Sequence, residues 1–131
     1  MKPLVVFPDV AAAVAAHLDD ILDEPIVTRV PNPRPPRFVL VRRVGGPRRD
    51  VVTDEATLTL EGWAEGEAEA HDLLQLARAH LHTLSGRNNG VTTYRVAEFA
   101  GPASLPDPES SQPRYTMTIS VAARGVTPAG S

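Results

Sequence analysis

The chain has 131 residues, 42% of them hydrophobic and 5% aromatic, with a net charge of −3 and no cysteine. These totals fit one domain, residues 1–131, with an aliphatic core. They exclude disulfides, thiolate metal sites and a cysteine nucleophile, and the mild acidity argues against nonspecific nucleic-acid binding as the main task.

No stretch approaches the ~18 apolar residues of a membrane span. The opening MKPLVVFPDV lacks the pattern of a signal peptide, so no membrane contact and an intracellular, soluble protein are expected. Charge is segregated along the chain. Residues 9–24 hold five acids and no Lys or Arg, residues 26–49 hold seven arginines and no acid, and residues 50–72 hold eight acids and no Lys or Arg. Such blocks permit one face of the molecule to complement another face of a neighbouring copy.

Asp9 reads as the N-cap of a first helix, with Val10, Ala13, Val14, Leu18, Ile21 and Leu22 on one stripe and Pro25 as its stop. His17 lies beside the stripe as a boundary residue. Asp19, Asp20, Asp23 and Glu24 crowd the C-terminal end, which the helix dipole disfavours for acids. They read either as a solvated cluster or as partners for arginine. Ile26 to Val30 reads as a short strand, followed by a stiff proline-rich loop over 31–36. Phe38 to Val44 and a strand within Val51–Trp63 form a hairpin around Gly45-Gly46-Pro47, with Arg48 and Arg49 near its tip.

The strongest pattern lies in EGEAEAHDLLQLARAHLHTL, residues 65–84. Ala70, Leu73, Leu74, Ala77, Leu81 and Leu84 recur at helical spacing. Acids open the run and basic residues close it, as the macrodipole favours, and Gly86 is expected to cap it. Asn89-Gly90 then signals a turn, and Val91–Phe99 a strand. A second proline-rich loop follows over 101–114. Tyr115, Met117, Ile119 and Val121 alternate with Thr116, Thr118, Ser120 and Ala122 as the clearest strand. The tail over 125–131 is expected to be loose. The order α-β-β-β-α-β-β implies an α+β fold, a mainly antiparallel sheet of four to five strands flanked by two helices.

Catalytic signatures are missing. His80 and His82 are about 200° apart round a helix, so they cannot share a metal, and His71 with Glu67 reads as a surface pair. No GxSxG, HExxH, Walker or GxGxxG motif occurs. No catalytic, metal or cofactor-binding residue is assigned, and no cofactor is expected. Long proline-rich loops in a small domain are usually functional or ordered by contact. The chain therefore reads as one built to touch other proteins.

Several segments together resemble the tail terminator proteins of siphovirus-type bacteriophages of actinobacteria. They are DVAAAVAAHL, VPNPRPPRFVLVRRVGG, TDEATLTLEGWAEGEAEAHDLLQLAR and VAEFAGPASLPDPESSQPRYTMTISVAARG, spanning roughly residues 8–125. The resemblance implies a six-membered ring that caps the tail tube, stops its elongation and offers a surface for head–tail joining. It implies a virion protein of the tail neck, made in the host cytoplasm, with itself, the tube protein and a head-side connector or stopper as partners. Another neck component, such as a connector, stopper or head-completion protein, is the alternative.

On that reading Arg34, Arg37, Arg42, Arg43, Arg48 and Arg49 are expected at a subunit interface, facing Asp19, Asp20, Asp23 and Glu24 of the next copy. Pro33, Pro35, Leu105, Pro106, Asp107, Glu109 and Arg114 are expected in loops that meet tube or connector. A second reading turns the arginines toward passing DNA. A third, an enzyme, needs a cavity lined by two or more convergent acids.

Overall fold

The computed structural model describes residues 4–88 and 90–128. Helix α1 (Val10–Asp19) leads into strands β1 (Ile26–Val27), β2 (Phe38–Gly45) and β3 (Thr53–Trp63). Helix α2 (Glu67–Leu81) follows, then β4 (Gly86–Asn88), β5 (Val91–Ser104) and β6 (Arg114–Arg124). The described strands form one sheet in the order β1-β2-β3-β6-β5-β4, antiparallel except for the β1·β2 pair. The fold is α+β in the expected element order, with the three-residue β4 added where the sequence reads as loop.

Alternation along the strands sorts the sheet into two faces. Val39, Val41, Ala56, Leu58, Leu60, Met117, Ile119 and Val121 face the helices and are buried with Val10, Val14, Leu18, Leu73, Leu74, Ala77 and Leu81. Each such leucine contributes roughly 1.5–3 kcal/mol by leaving water. The opposite face carries Phe38, Leu40 and Trp63 as a small separate cluster. Thr59 and Thr118 are paired in register along the same face. Gly62 lets α2 sit close to β3, because a Cβ there would lie 2.9 Å from the Ala70 carbonyl oxygen and 3.0 Å from Leu74 Cβ.

Several boundaries differ from the sequence expectation. Asp9 caps α1 by accepting from the Ala12 N–H, but the helix ends at Asp19, well before Pro25. Carboxylates at a helix C-terminus oppose the macrodipole, and a turn from Leu18 to Leu22 replaces further helix. His82 is the C-cap of α2, while Gly86 takes φ of +80° to open β4. Leu84 remains buried beyond the helix end. β1 keeps only two residues of the expected Ile26–Val30, whereas β5 runs through Gly101 and Pro102 to Ser104 with three register shifts. Asn89 of the expected Asn89-Gly90 turn lies outside the described residues. The tail is fixed at least to Val126, whose N–H and carbonyl both pair with Val6; residues 129–131 lie outside the description.

Polar contacts tie helix to sheet. Glu98 on β5 accepts from Arg78 Nε at 2.9 Å, Arg78 Nη2 at 2.7 Å and His82 Nε2 at 2.8 Å. His71 turns to Asp72 and Gln75 rather than to Glu67, which accepts from Ser104 instead. His17 stays half-buried, as a boundary position requires, with Nε2 3.3 Å from the His80 carbonyl oxygen.

Two outcomes test this packing. Gly62→Ala forces the α2 contact apart and should cost about 1–3 kcal/mol in denaturant unfolding, the usual range for overpacking. The hydrogen bonds from Arg78, then from His82, hold the Glu98 carboxyl down at about 2. A depressed folded pKa gives stability that is complete above the ordinary glutamate range and lost as pH falls toward about 2. Glu98→Gln should therefore lower stability at pH 7 and flatten its decline between pH 5 and pH 2, measured by thermal melts across that range.

Candidate functional site

The two proline-bearing loops, far apart in sequence, meet over Trp63. The β3·β6 register sets Trp63 opposite Arg114, and the β2·β3 register sets it opposite Phe38. Phe38 stacks on the indole with centroids 5.1 Å apart and planes 20° off parallel. The Arg34 guanidinium lies 5.5 Å from the indole centroid and that of Arg114 lies 5.3 Å away, both within cation–π range. Arg34 comes from the first loop and continues to Asp107 at 3.4 Å and the Ser110 hydroxyl at 3.2 Å in the second. One side chain thus joins both loops across an aromatic floor.

Beneath them is a buried carboxylate. Glu61 accepts from Trp63 Nε1 at 3.0 Å and Arg42 Nη2 at 3.2 Å, and Arg114 Nη1 lies 3.8 Å away. The second loop is internally closed. Leu105 N–H donates to the Arg114 carbonyl, Arg114 Nε donates to the Leu105 carbonyl, and Asp107 N–H donates to the Gln112 carbonyl. The Ser110 hydroxyl, followed by its backbone N–H and the Arg34 guanidinium, holds the Asp107 carboxyl below the usual aspartate range. Ser111 takes φ of 60° at the bend.

Between the loops lies an open cleft of about 510 Å³. Its walls are Val30, Pro31, Asn32 and Pro33 on one side and Asp107 and Glu109 on the other, with Arg34 and Trp63 between. Two acids line it, yet Asp107 is shifted toward its charged form, the wrong direction for a general acid. Glu109 is exposed at the rim. Pro33 is exposed beside the cleft and Pro35 half-buried, while Leu105 and Pro106 stand exposed at the loop's start. The chemistry on offer is a shaped contact surface with mixed charge. Among the described residues no group of three or more metal-ligating side chains converges.

Most of the arginines expected to face carboxylates of a neighbouring copy find acids inside the same chain. Arg42 pairs with Glu61 and Arg37 with Glu65 at 3.3 Å. Arg43 pairs with Asp54 at 2.6 Å, and its guanidinium also donates to the Gly45 and Gly46 carbonyls. Arg49 pairs with Glu55. Arg48 lies over Phe7, 4.9 Å from the ring centroid. The cause is the hairpin, which folds the basic block back along the acidic block that follows it. Asp19, Asp20 and Asp23 are exposed and Glu24 is half-buried; among the described residues none of the four is in an ion pair.

Sequence reasoning finds the loops, the arginines and Arg114. It misses Trp63 and Glu61 as the centre, although the Glu61-x-Trp63 spacing on a strand, which puts both on one face, is the available signal.

Trp63 is the only tryptophan, so its fluorescence reports the site directly. Arg34→Ala should detach the loops from the indole, shift emission to the red and increase acrylamide quenching, with a melting temperature changed by only a few degrees. An unchanged spectrum would show that Arg34 does not cover the ring.

Compared with known protein families and with characterised proteins, the sequence matches none.

Proposed function

We propose that this protein is a structural virion component, a tail terminator that assembles as a ring on the tail tube, ends its growth and offers its far side to a head-side connector. The sequence resemblance supplies the identity of the task. The observation that carries the self-assembly is the sheet, which is unpaired along most of both flanks among the described residues. Unpaired backbone groups along a strand edge invite another chain. The loops joined by Arg34 supply a second, preordered surface, and fixing them in the free protein lowers the entropy lost on docking.

Arg34, Arg37, Arg42, Arg43 and Arg49 each have a carboxylate partner within the chain, so the ring need not draw on the arginine block. The same pairing weakens the DNA reading, since a guanidinium bound to its own carboxylate has little charge left to offer phosphate.

The test is tube assembly. Purified tube subunits polymerised with increasing amounts of this protein should give shorter tubes carrying a ring at one end in negative-stain images, and native mass spectrometry should show about six copies in that ring. Tubes whose lengths are unaffected at stoichiometric excess would remove the reading.

A further inference from the structure

Ion pairing within the chain leaves opposite remainders at the two ends of the strands. β3 begins at Thr53, opposite Arg124 of β6, and finishes at Trp63, opposite Arg114. A strand rise of about 3.4 Å per residue puts these ends roughly 30 Å apart. The turn that joins β2 to β3 lies at the Thr53 end, and α2 starts at Glu67, just beyond the Trp63 end.

Near the Trp63 end, on the helix side, an open groove of about 190 Å³ is lined by residues of α2 and of the segments before β1 and β2. Leu73 and Leu76 form its apolar wall, and Leu76 is 45% exposed although it sits within a helix. Glu24, Glu69, Asp72 and Arg37 complete the lining. Arg37 is the groove's one cation and already pairs with Glu65. Among the described residues Glu24 and Glu69 have no ion-pair partner, and Asp72 meets only His71. The macrodipole of α2 accounts for an acid in its first turn, as at Glu69, but not for Glu24, which comes from another segment.

The Thr53 end has the reverse remainder. Arg48, bridged to Asp54 through the backbone, lies over Phe7, and Arg124 donates to the Tyr94 hydroxyl at 3.4 Å. Neither has a carboxylate within ion-pair distance among the described residues. The acids of this end are engaged: Asp54 meets Arg43, Glu55 meets Arg49, and Asp50 accepts from the Val52 N–H. Leu4, Val6, Val51, Val52 and Val126 are all exposed here. Backbone pairing holds them together, since Val6 bridges to Val126 and the Gly125 N–H donates to the Val52 carbonyl. Exposed apolar side chains gathered beside polar ones mark a surface that meets another molecule.

We infer that the Thr53 end of one copy seats on the α2 groove of the next, with its aliphatic group against Leu76 and with Arg48 and Arg124 beside Glu24 and Asp72. Each end carries apolar surface, and the charge left over at one is opposite to that at the other, so a second copy is the occupant that both ends fit. Apolar burial supplies the affinity, because exposed ion pairs contribute little, and charge selects the partner and its orientation. The two surfaces are too far apart to meet within one chain, so the contact is head-to-tail. Repeated, it closes when the turn per copy divides a full circle. This inference rests on the ring reading and adds one contact to it.

Two charge exchanges test it. Arg48→Glu with Arg124→Glu makes the Thr53 end acidic, and Glu24→Lys with Asp72→Lys makes the groove basic. None of the four side chains belongs to the core, so melting temperatures should shift by only a few degrees. In either double variant alone the two ends carry like charge, and the ring signal in native mass spectrometry should fall at least tenfold. An equal mixture of the two double variants should restore the ring, because the intact groove of the first accepts the intact end of the second and the two reversed ends also match. A ring undiminished in both double variants overturns the inference and leaves the ring reading standing. A loss that mixing does not repair overturns it as well. Unaltered protein that stays monomeric at all concentrations, on tubes and off them, overturns both.

Discussion

A carboxylate placed on the sheet's helix-free face organises this molecule. Glu61 is nearly shielded from water and is surrounded by the indole N–H of Trp63 and the guanidinium groups of Arg42 and Arg114. A buried charge is tolerable only when its lone pairs are met, and removing one partner of such a set usually costs several kcal/mol. Meeting this demand fixes the orientation of Trp63 and Arg114, which in turn fixes where the second loop begins. Phe38 and Arg34 then close on the indole, and Arg34 fastens the second loop through Asp107. The helix side is mostly apolar, with Leu74, Leu60 and Ile119 excluding water, and its buried Asp54 is met by Arg43.

This division explains what was legible in the sequence. Periodic signals gave the helix-side core almost residue for residue: Leu73, Leu74, Ala77 and Leu81 at helical spacing, and Met117, Ile119 and Val121 at strand spacing. Hydrophobic period reports which side chains leave water, and that is a property of neighbours along the chain. The second cluster was illegible because its members come from positions 34, 38, 61, 63 and 107–114, and only register brings them together. The lone Glu-x-Trp spacing says that two side chains share a face, not that arginines will converge on it.

Blocks of charge in a sequence do not say whether their partners lie within the chain. Alternating acidic and basic blocks in sequence suggested contacts between copies, yet a hairpin is the shortest way to bring consecutive blocks together. Once β2 and β3 pair, Arg42 is within reach of Glu61 and Arg43 within reach of Asp54, with no second molecule required. The helix ends show the same limit. Pro25 marked where α1 could not continue, but the carboxylates at its last turn ended it sooner, an energetic effect weaker than a steric one and harder to place.

Local pairing also decides what an approaching molecule senses. A guanidinium and a carboxylate held together act as a small dipole whose field fades quickly, and salt screens what remains beyond a Debye length of about 8 Å. The three unpaired carboxylates at the end of α1, Asp19, Asp20 and Asp23, are different: they stand exposed as a like-signed group with no counter-ion among the described side chains. Arg42, Arg43 and Arg49 of the hairpin thus present paired charge, whereas this helix end presents carboxylates without a partner among the described residues. An approaching molecule therefore meets uncompensated negative charge at the end of α1, and mostly paired charge at the hairpin.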